Sequence, residues 1–288
     1  MSVMSAKAVT SVIRARDTRS MGARLFGAIV ALVDTAIRYR TIWKFLSVQD
    51  IKSRFRRSRL GVLWMIMNQV VFACGAGYMW AIIFGQKASD FIPFISVGFA
   101  VWGFIAAGFV DGCNAFVSGQ GFAKQVALPM EIFICRFMAN TLFTASFGML
   151  TAVIIVVLTK DLSALPGMIW VFPGLALVIV CVIFVTGTMA YLGAIYRDLL
   201  HGMSGLFQML FVVSPVIYTP EILIKRGAGF LIFLNPLASM IQVIRVPIIE
   251  QHLALRRDYL MVVAMTLFFM MTYAALRSTF GRRIVYYL

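Results

Sequence analysis

The chain has 288 residues, of which 61 % are hydrophobic and only 13 % charged. That leaves too little polar surface to cover a water-soluble globule, so composition excludes a soluble domain and requires an integral membrane protein. The net charge of +15 at pH 7 does not point to nucleic acid, because 13 of the 26 Lys and Arg precede Leu60, where anionic lipid is the natural partner.

Residues 1–23 are polar and basic (Lys7, Arg14, Arg16, Arg19) and read as a flexible cytosolic tail. The apolar run 25–33 is too short to cross a bilayer. Behind a basic leader it mimics a signal peptide, but no small-x-small cleavage site follows. Leu25, Phe26, Ile29, Leu32, Val33 and Ala36 instead share the face of an interfacial helix. Further on, Ser47 with Asp50 three residues later reads as an N-cap and short capping box. Val48, Ile51 and Phe55 then fall on one narrow face, and Lys52, Arg54, Arg56, Arg57 and Arg59 on the others. Such a helix lies in the headgroup layer with its long cations reaching lipid phosphates. Residues 1–60 are therefore expected to form the cytosolic tail and amphipathic interface helices, and 61–288 the transmembrane domain.

Against the ~20 residues that a helix needs to span about 30 Å of hydrocarbon, six spans emerge. They are 61–84, 91–117, 132–158, 167–194, 199–218 and 259–276. The positive-inside rule puts residues 1–60 in the cytosol, and six crossings return the C-terminus there, in agreement with Arg277, Arg282 and Arg283. The uncharged run 227–244 is long enough for a seventh span, but Asn235-Pro236 in its middle blocks a continuous helix. Residues 219–257 are read as an external segment of two short re-entrant helices, although its Lys225, Arg226, Arg245, Arg256 and Arg257 run against the charge rule. Asp111, Arg136 and the pair Arg197-Asp198 are the notable charges within or beside the spans. Arg136 is expected to snorkel or to pair with Glu131 one turn earlier, and Arg197-Asp198 to hold a tight turn. Cys74, Cys113, Cys135 and Cys181 lie far apart with no C-x-x-C, and His201 and His252 are the only imidazoles, so neither a disulfide framework nor a metal site is expected.

Asp50-Ile51-Lys52, the basic run to Arg59, Leu60-Gly61 and Trp64 resemble, in order, the start of the membrane subunits of type-2 ABC exporters that move O-antigen, capsule or teichoic acid chains. Tyr196-Arg197-Asp198, Ser214-Pro215-Val216-Ile217-Tyr218 and Asn235-Pro236-Leu237 with Arg245 match the same family in the same order, so the resemblance covers about residues 50–250. One departure is Gln69 after Asn68, where the family usually has a proline early in the first span; this leaves the kink of that helix open. The resemblance implies an all-α membrane subunit with an N-terminal interface helix, six transmembrane helices and re-entrant gate helices that include Asn235, Pro236 and Arg245. It implies a homodimer in the cytoplasmic (inner) membrane, working with two copies of a separate ATPase that binds ATP and Mg. The sequence itself contains no G-x-x-x-x-G-K-[ST], so no cofactor is expected in this chain. The link 118–130 sits where such exporters carry a coupling helix. Gly121, Phe122, Lys124, Gln125 and Val126 are its candidate ATPase contacts, with Phe122 and Val126 on one face.

The leading functional reading is a channel for a lipid-linked polysaccharide, whose sugar rings pass along flat aromatic faces. Trp64, Tyr78 and Trp80 in the first span and Phe207, Phe211 and Tyr218 in the fifth are the candidates. Export of a small lipid or drug is an alternative within the same family. A membrane glycosyl- or acyltransferase would need clustered carboxylates, a metal or a histidine-based nucleophile, whereas the 11 acidic residues are scattered singly. An ion-coupled carrier would show internal repeats, and the sequence shows none.

Overall fold

Hydrocarbon cannot satisfy backbone N–H and C=O groups, so a chain of this composition is driven into helices. The computed structural model describes residues 21–288 apart from 57, 127, 161–165, 221–226, 228 and 282, and every regular element among the described residues is helical. The order is α1 (Met21–Arg38), α2 (Arg40–Phe55), α3 (Leu63–Phe84), α4 (Ala88–Phe109), α5 (Gln120–Gln125), α6 (Glu131–Lys160), α7 (Val171–Ile195), α8 (Leu199–Val213), α9 (Phe230–Phe233), α10 (Pro236–Glu250) and α11 (Arg256–Phe280). Among the described residues α3, α4, α6, α7 and α11 are long and apolar enough to cross a bilayer. The protein is an all-α, multi-pass integral membrane protein.

The most deeply buried of these five is α4, packed by α3, α6, α7 and α10. It ends in a 3-10 turn at Asp111–Asn114 rather than continuing as α-helix to 117. Gly85, at φ 64°, closes α3 in the left-handed conformation that a side chain would resist, and its N–H bonds to Ile82 O. No proline interrupts α3; Gln69 is buried in it and donates from Nε2 to Ser96 O of α4 at 2.8 Å.

The expected fifth crossing is shorter than its apolar run. α8 stops at Val213, where Ser214 turns extended ahead of Pro215. Its 15 residues rise about 22 Å at ~1.5 Å each, short of the ~30 Å core. Beyond it, α10 carries most of its residues buried against α4, α7 and α11. α7 admits it at Gly174, where a Cβ would stand 2.2 Å from Val243 O. Broken backbone near the bilayer is thus covered by protein, the condition under which it is tolerated.

The N-terminal helices depart from expectation. Ser47 does not cap a helix; it lies inside α2, which begins at Arg40 after a one-residue break at Tyr39. The Ser47 hydroxyl donates to Asn140 Oδ1 of α6 at 2.6 Å. Asp50 is turned the same way. Its carboxylate accepts from Arg136 Nε and Nη2, both at 2.6 Å, and from Asn140 Nδ2 at 2.8 Å. The expected Glu131–Arg136 pair does not form: Glu131 accepts from Arg277 Nε of α11 at 2.6 Å. The side of α2 that meets the bundle is Leu46, Ser47 and Asp50, while Val48 stays 48 % exposed. α1 is likewise bound, packing on α6 and α11 with Ala28 and Thr35 buried.

Burial alone would raise the Asp50 carboxyl, but the hydrogen bonds from Arg136 and Asn140 outweigh it and hold the group below its ordinary 3.8. A carboxylate lowered in the folded state stabilises above its unfolded value and loses that contribution as pH falls through the native one. Asp50→Asn is expected to cost about 1.5–3 kcal/mol at pH 7. In thermal unfolding of purified protein, the gap between wild type and variant should narrow below pH 3.8; a gap that stays constant with pH would show that the charge contributes nothing.

Candidate functional site

Two breaks in the chain, one ending α8 and one starting α10, meet in space. A helix N-terminus leaves N–H groups without intrahelical acceptors, and Asn235 supplies one: its Oδ1 accepts from Leu237 N at 3.0 Å and Ala238 N at 3.3 Å. Pro236 occupies the first turn, where its missing N–H costs nothing. The other end of the Asn235 amide reaches back, Nδ2 donating to Ser214 Oγ at 2.9 Å. From nearly three turns further along α10, Arg245 Nη1 donates to Pro215 O at 2.7 Å. The guanidinium is 1 % exposed and lies 3.9 Å from the centre of the Phe94 ring of α4. α4 makes room for it at Gly98, where a Cβ would stand 2.2 Å from Arg245 Nη2. Ser-Pro-Val-Ile-Tyr and Asn-Pro-Leu with its arginine, separate motifs in the sequence, are the two halves of one lock.

The opposite end of the bundle carries the basic sequence. There the link between α4 and α6 forms a 3-10 turn, Val117–Gly119, and the six-residue α5. The helix ends at Gln125, well short of the end of the 118–130 link. Gly119 is a point of close contact, since a Cβ there would meet the Phe133 ring at 2.2 Å. Ala123 is buried, whereas Phe122 (47 %) and Val126 (51 %) stand exposed with Gly121, Lys124 and Gln125. Arg197 does fix its turn, donating from Nη2 to Leu288 O at 2.7 Å and Tyr287 O at 3.2 Å. Of the interface cations, Lys52, Arg54, Arg56 and Arg59 are exposed; Arg57 lies outside the described residues, as do Lys225 and Arg226 of the gate segment.

The aromatic candidates do not share one surface within this chain. Trp64 and Tyr78 are exposed on α3, and Trp80 stacks on Phe84 at 5.4 Å. Phe207 is buried between Phe109 (4.9 Å) and Trp102 (5.6 Å), and Phe211 sits 5.6 Å from Trp102 and 6.2 Å from Phe72. Tyr218 turns its hydroxyl back to donate to Val213 O. Sequence reasoning missed Phe72, Phe99, Trp102 and Phe109 as the setting of the α8 aromatics. It also missed Asn140, whose four-residue offset from Arg136 is the signal that both face α2.

Because Arg245 fits only while position 98 lacks a side chain, Gly98→Ala should displace it and destabilise the protein much as Arg245→Met does. Combining the two should cost clearly less than their sum in thermal unfolding, by about 0.5–3 kcal/mol of coupling. Strict additivity would mean that Gly98 and Arg245 do not meet.

No family model matches the chain. It is 24 % identical over 196 residues to an O-antigen export system permease protein RfbA of Klebsiella pneumoniae, covering 67 % of this chain and 74 % of that protein. To the O-antigen export system permease protein RfbA of Myxococcus xanthus it is 23 % identical over 215 residues, 74 % of this chain and 82 % of the relative. The likeness to two such permeases, the four motifs in order and the all-helical bundle in which two of those motifs interlock agree with one another, and together they make the chain similar to the permease subunits of O-antigen export systems.

Proposed function

We propose that this subunit forms, as a homodimer, the membrane channel of an ATP-driven exporter that moves a lipid-linked polysaccharide across the inner membrane. The likeness to permeases named for O-antigen export carries the reading. Hydrolysis belongs to a partner ATPase, two copies per dimer. Phe122 and Val126, exposed apolar side chains on a short helix at the basic end, suit a groove on that partner. The cations Lys52, Arg54, Arg56 and Arg59 at the same end suit anionic headgroups and set it on the cytosolic side, where both termini then lie. The lock of Asn235, Pro236 and Arg245 falls on the outer side and bounds the channel there. Exposed Trp64 and Tyr78 give sugar rings flat faces once a second copy closes the path around them.

Loss of this subunit should abolish surface glycan and leave the lipid-linked chain inside. A Walker-motif ATPase should copurify with the tagged wild type. Phe122→Asp should weaken that association or uncouple hydrolysis from export, while membrane insertion is unchanged. Normal surface glycan in the deletion strain would sink the reading, and accumulation of a lipid or drug there instead would favour the alternative cargo.

Orientation has its own check. In a cysteine-free background, Lys225→Cys and Gln251→Cys should both react with an impermeant maleimide added outside. Labelling of only one would establish a further crossing and refute the topology.

A further inference from the structure

Between α3, α4 and α6, and under the C-terminal end of α2, lies a cleft of about 720 Å³, within the size range of ligand sites. One stripe of α4 forms its wall, Phe99, Gly103 and Ala107 at four-residue steps, and Asp111 follows in the 3-10 turn beyond the helix. The two small residues leave room between the ring and the carboxylate. Polar groups line it from every side, Asn68 on α3, Asn114 after α4 and Thr141 on α6, beside Asn140, whose amide is held by Ser47 and Asp50, and Thr144, whose hydroxyl donates to Asn140 O and accepts from Arg54.

Charge decides what such a cleft takes. It holds two carboxylates and two guanidiniums, Asp50, Asp111, Arg54 and Arg136, and Asp50 already neutralises Arg136 at 2.6 Å. A phosphate or diphosphate site needs uncompensated cations and a cation site uncompensated carboxylates. Arg54 and Asp111 form no ion pair among the described residues, but they are opposite in sign and line the same space, so the lining has no excess of either charge. It offers neutral donors and acceptors in mixture beside phenyl faces, Phe99, Phe104 and Phe137, which matches a ligand whose groups both donate and accept and whose ring C–H faces are apolar. Asp111 has no ion pair among the described residues and is exposed to this space. A carboxylate so placed within a spanning segment is a functional group by default, and it can accept from neighbouring hydroxyls. Asn68 stands one helical turn beyond Trp64, both exposed, so the rim of the cleft adjoins that ring.

We propose that this cleft is a saccharide-binding subsite at the basic mouth of the subunit, gripping neutral sugar hydroxyls through Asp111, Asn68 and Asn114 before the chain passes to the exposed aromatic side chains of α3. It rests on the exporter reading and adds to it a place where glycan is held by hydrogen bonds. The phosphate-bearing end of the lipid-linked substrate is held elsewhere.

The test uses the full chain with its partner ATPase, in cells that make the glycan. p-Benzoylphenylalanine is introduced at positions 68 and 114, at 78 to report the aromatic face, and at Ile154, exposed on α6, as a lipid-facing control. The probe is the cell's own glycan, metabolically labelled with a radioactive sugar. Irradiation should give labelled glycan adducts at 68, 114 and 78 and none at 154. Adducts at 78 with none at 68 or 114 would overturn the subsite and leave the exporter reading standing. An absence of glycan adducts at all four, in cells whose export of glycan also survives deletion of this subunit, would overturn both. Phospholipid adducts at 68 and 114 would make the cleft a headgroup site and overturn the proposal. As a second measure, Asp111→Leu should lower surface glycan about tenfold, the size of one lost 1.4 kcal/mol contact. Asp111→Asn, which still accepts, should lower it less, at equal amounts of protein in the membrane. Normal export by Asp111→Leu would refute the role given to the carboxylate.

Discussion

A guanidinium cannot sit alone in a low-dielectric interior, because its desolvation penalty is recovered only by close, well-aligned acceptors. Three arginines impose that constraint on this bundle. Arg136 requires Asp50, which brings α2 onto α6. Arg277 requires Glu131, which brings the end of α11 to the start of α6. Arg245 requires Pro215 O and the Phe94 ring, which fixes α10 against both α4 and the turn after α8. Each partner is far away in sequence. Apolar packing alone is non-directional, and lipid tails compete with it for every helix surface. These directional contacts fix how the helices are set against one another.

Features decided locally were legible in the sequence. The long apolar runs had to be helices because no other spanning structure closes its own hydrogen bonds. Asn235-Pro236 had to be a boundary, since an asparagine that caps and a proline that lacks an N–H serve one purpose together. What misled was ambiguity in spacing. Ser47 and Asp50 stand three apart, which is the capping-box offset. Three apart on a helix is also one face, and here both side chains use that face to bind Asn140 and Arg136. Only the partner helix distinguishes the two uses. Glu131 and Arg136 were separable in principle, because residues five apart point about 140° away from each other around a helix.

The misjudged length of α8 has a different cause. Hydropathy continues unbroken through residues 199–218, but it measures side chains and not whether the backbone can go on. Ser214-Pro215 stops the helix at Val213 and leaves carbonyls to be satisfied. The Pro215 carbonyl is the acceptor that Arg245 needs. A donor-rich arginine and a carbonyl left open in the turn after a helix are each costly near hydrocarbon, and each removes the other's cost. That reciprocity explains why the two motifs occur in one chain although neither is locally required by the other.

α4 joins the two regions that the rest of the molecule shapes. Its Phe94 and Gly98 receive the Arg245 guanidinium, and its Phe99, Gly103 and Ala107, with Asp111 in the turn beyond, wall the cleft toward the basic end. Gly98 and Phe99 are adjacent, so the two surfaces lie about 100° apart around the same helix. The lock leaves no slack at Gly98, where the guanidinium fills the volume of the absent side chain. A close-packed interior transmits displacement because it has no free volume to absorb it. A shift of α10 therefore has to move α4, and a rotation of α4 that carries Gly98 aside also swings the Phe99 to Ala107 stripe around its axis. The lock and the cleft are thus two faces of one packed helix. Near its start, Pro93 withholds one backbone hydrogen bond from the turn that leads to Phe94, and the packed Arg245 guanidinium holds that turn in place.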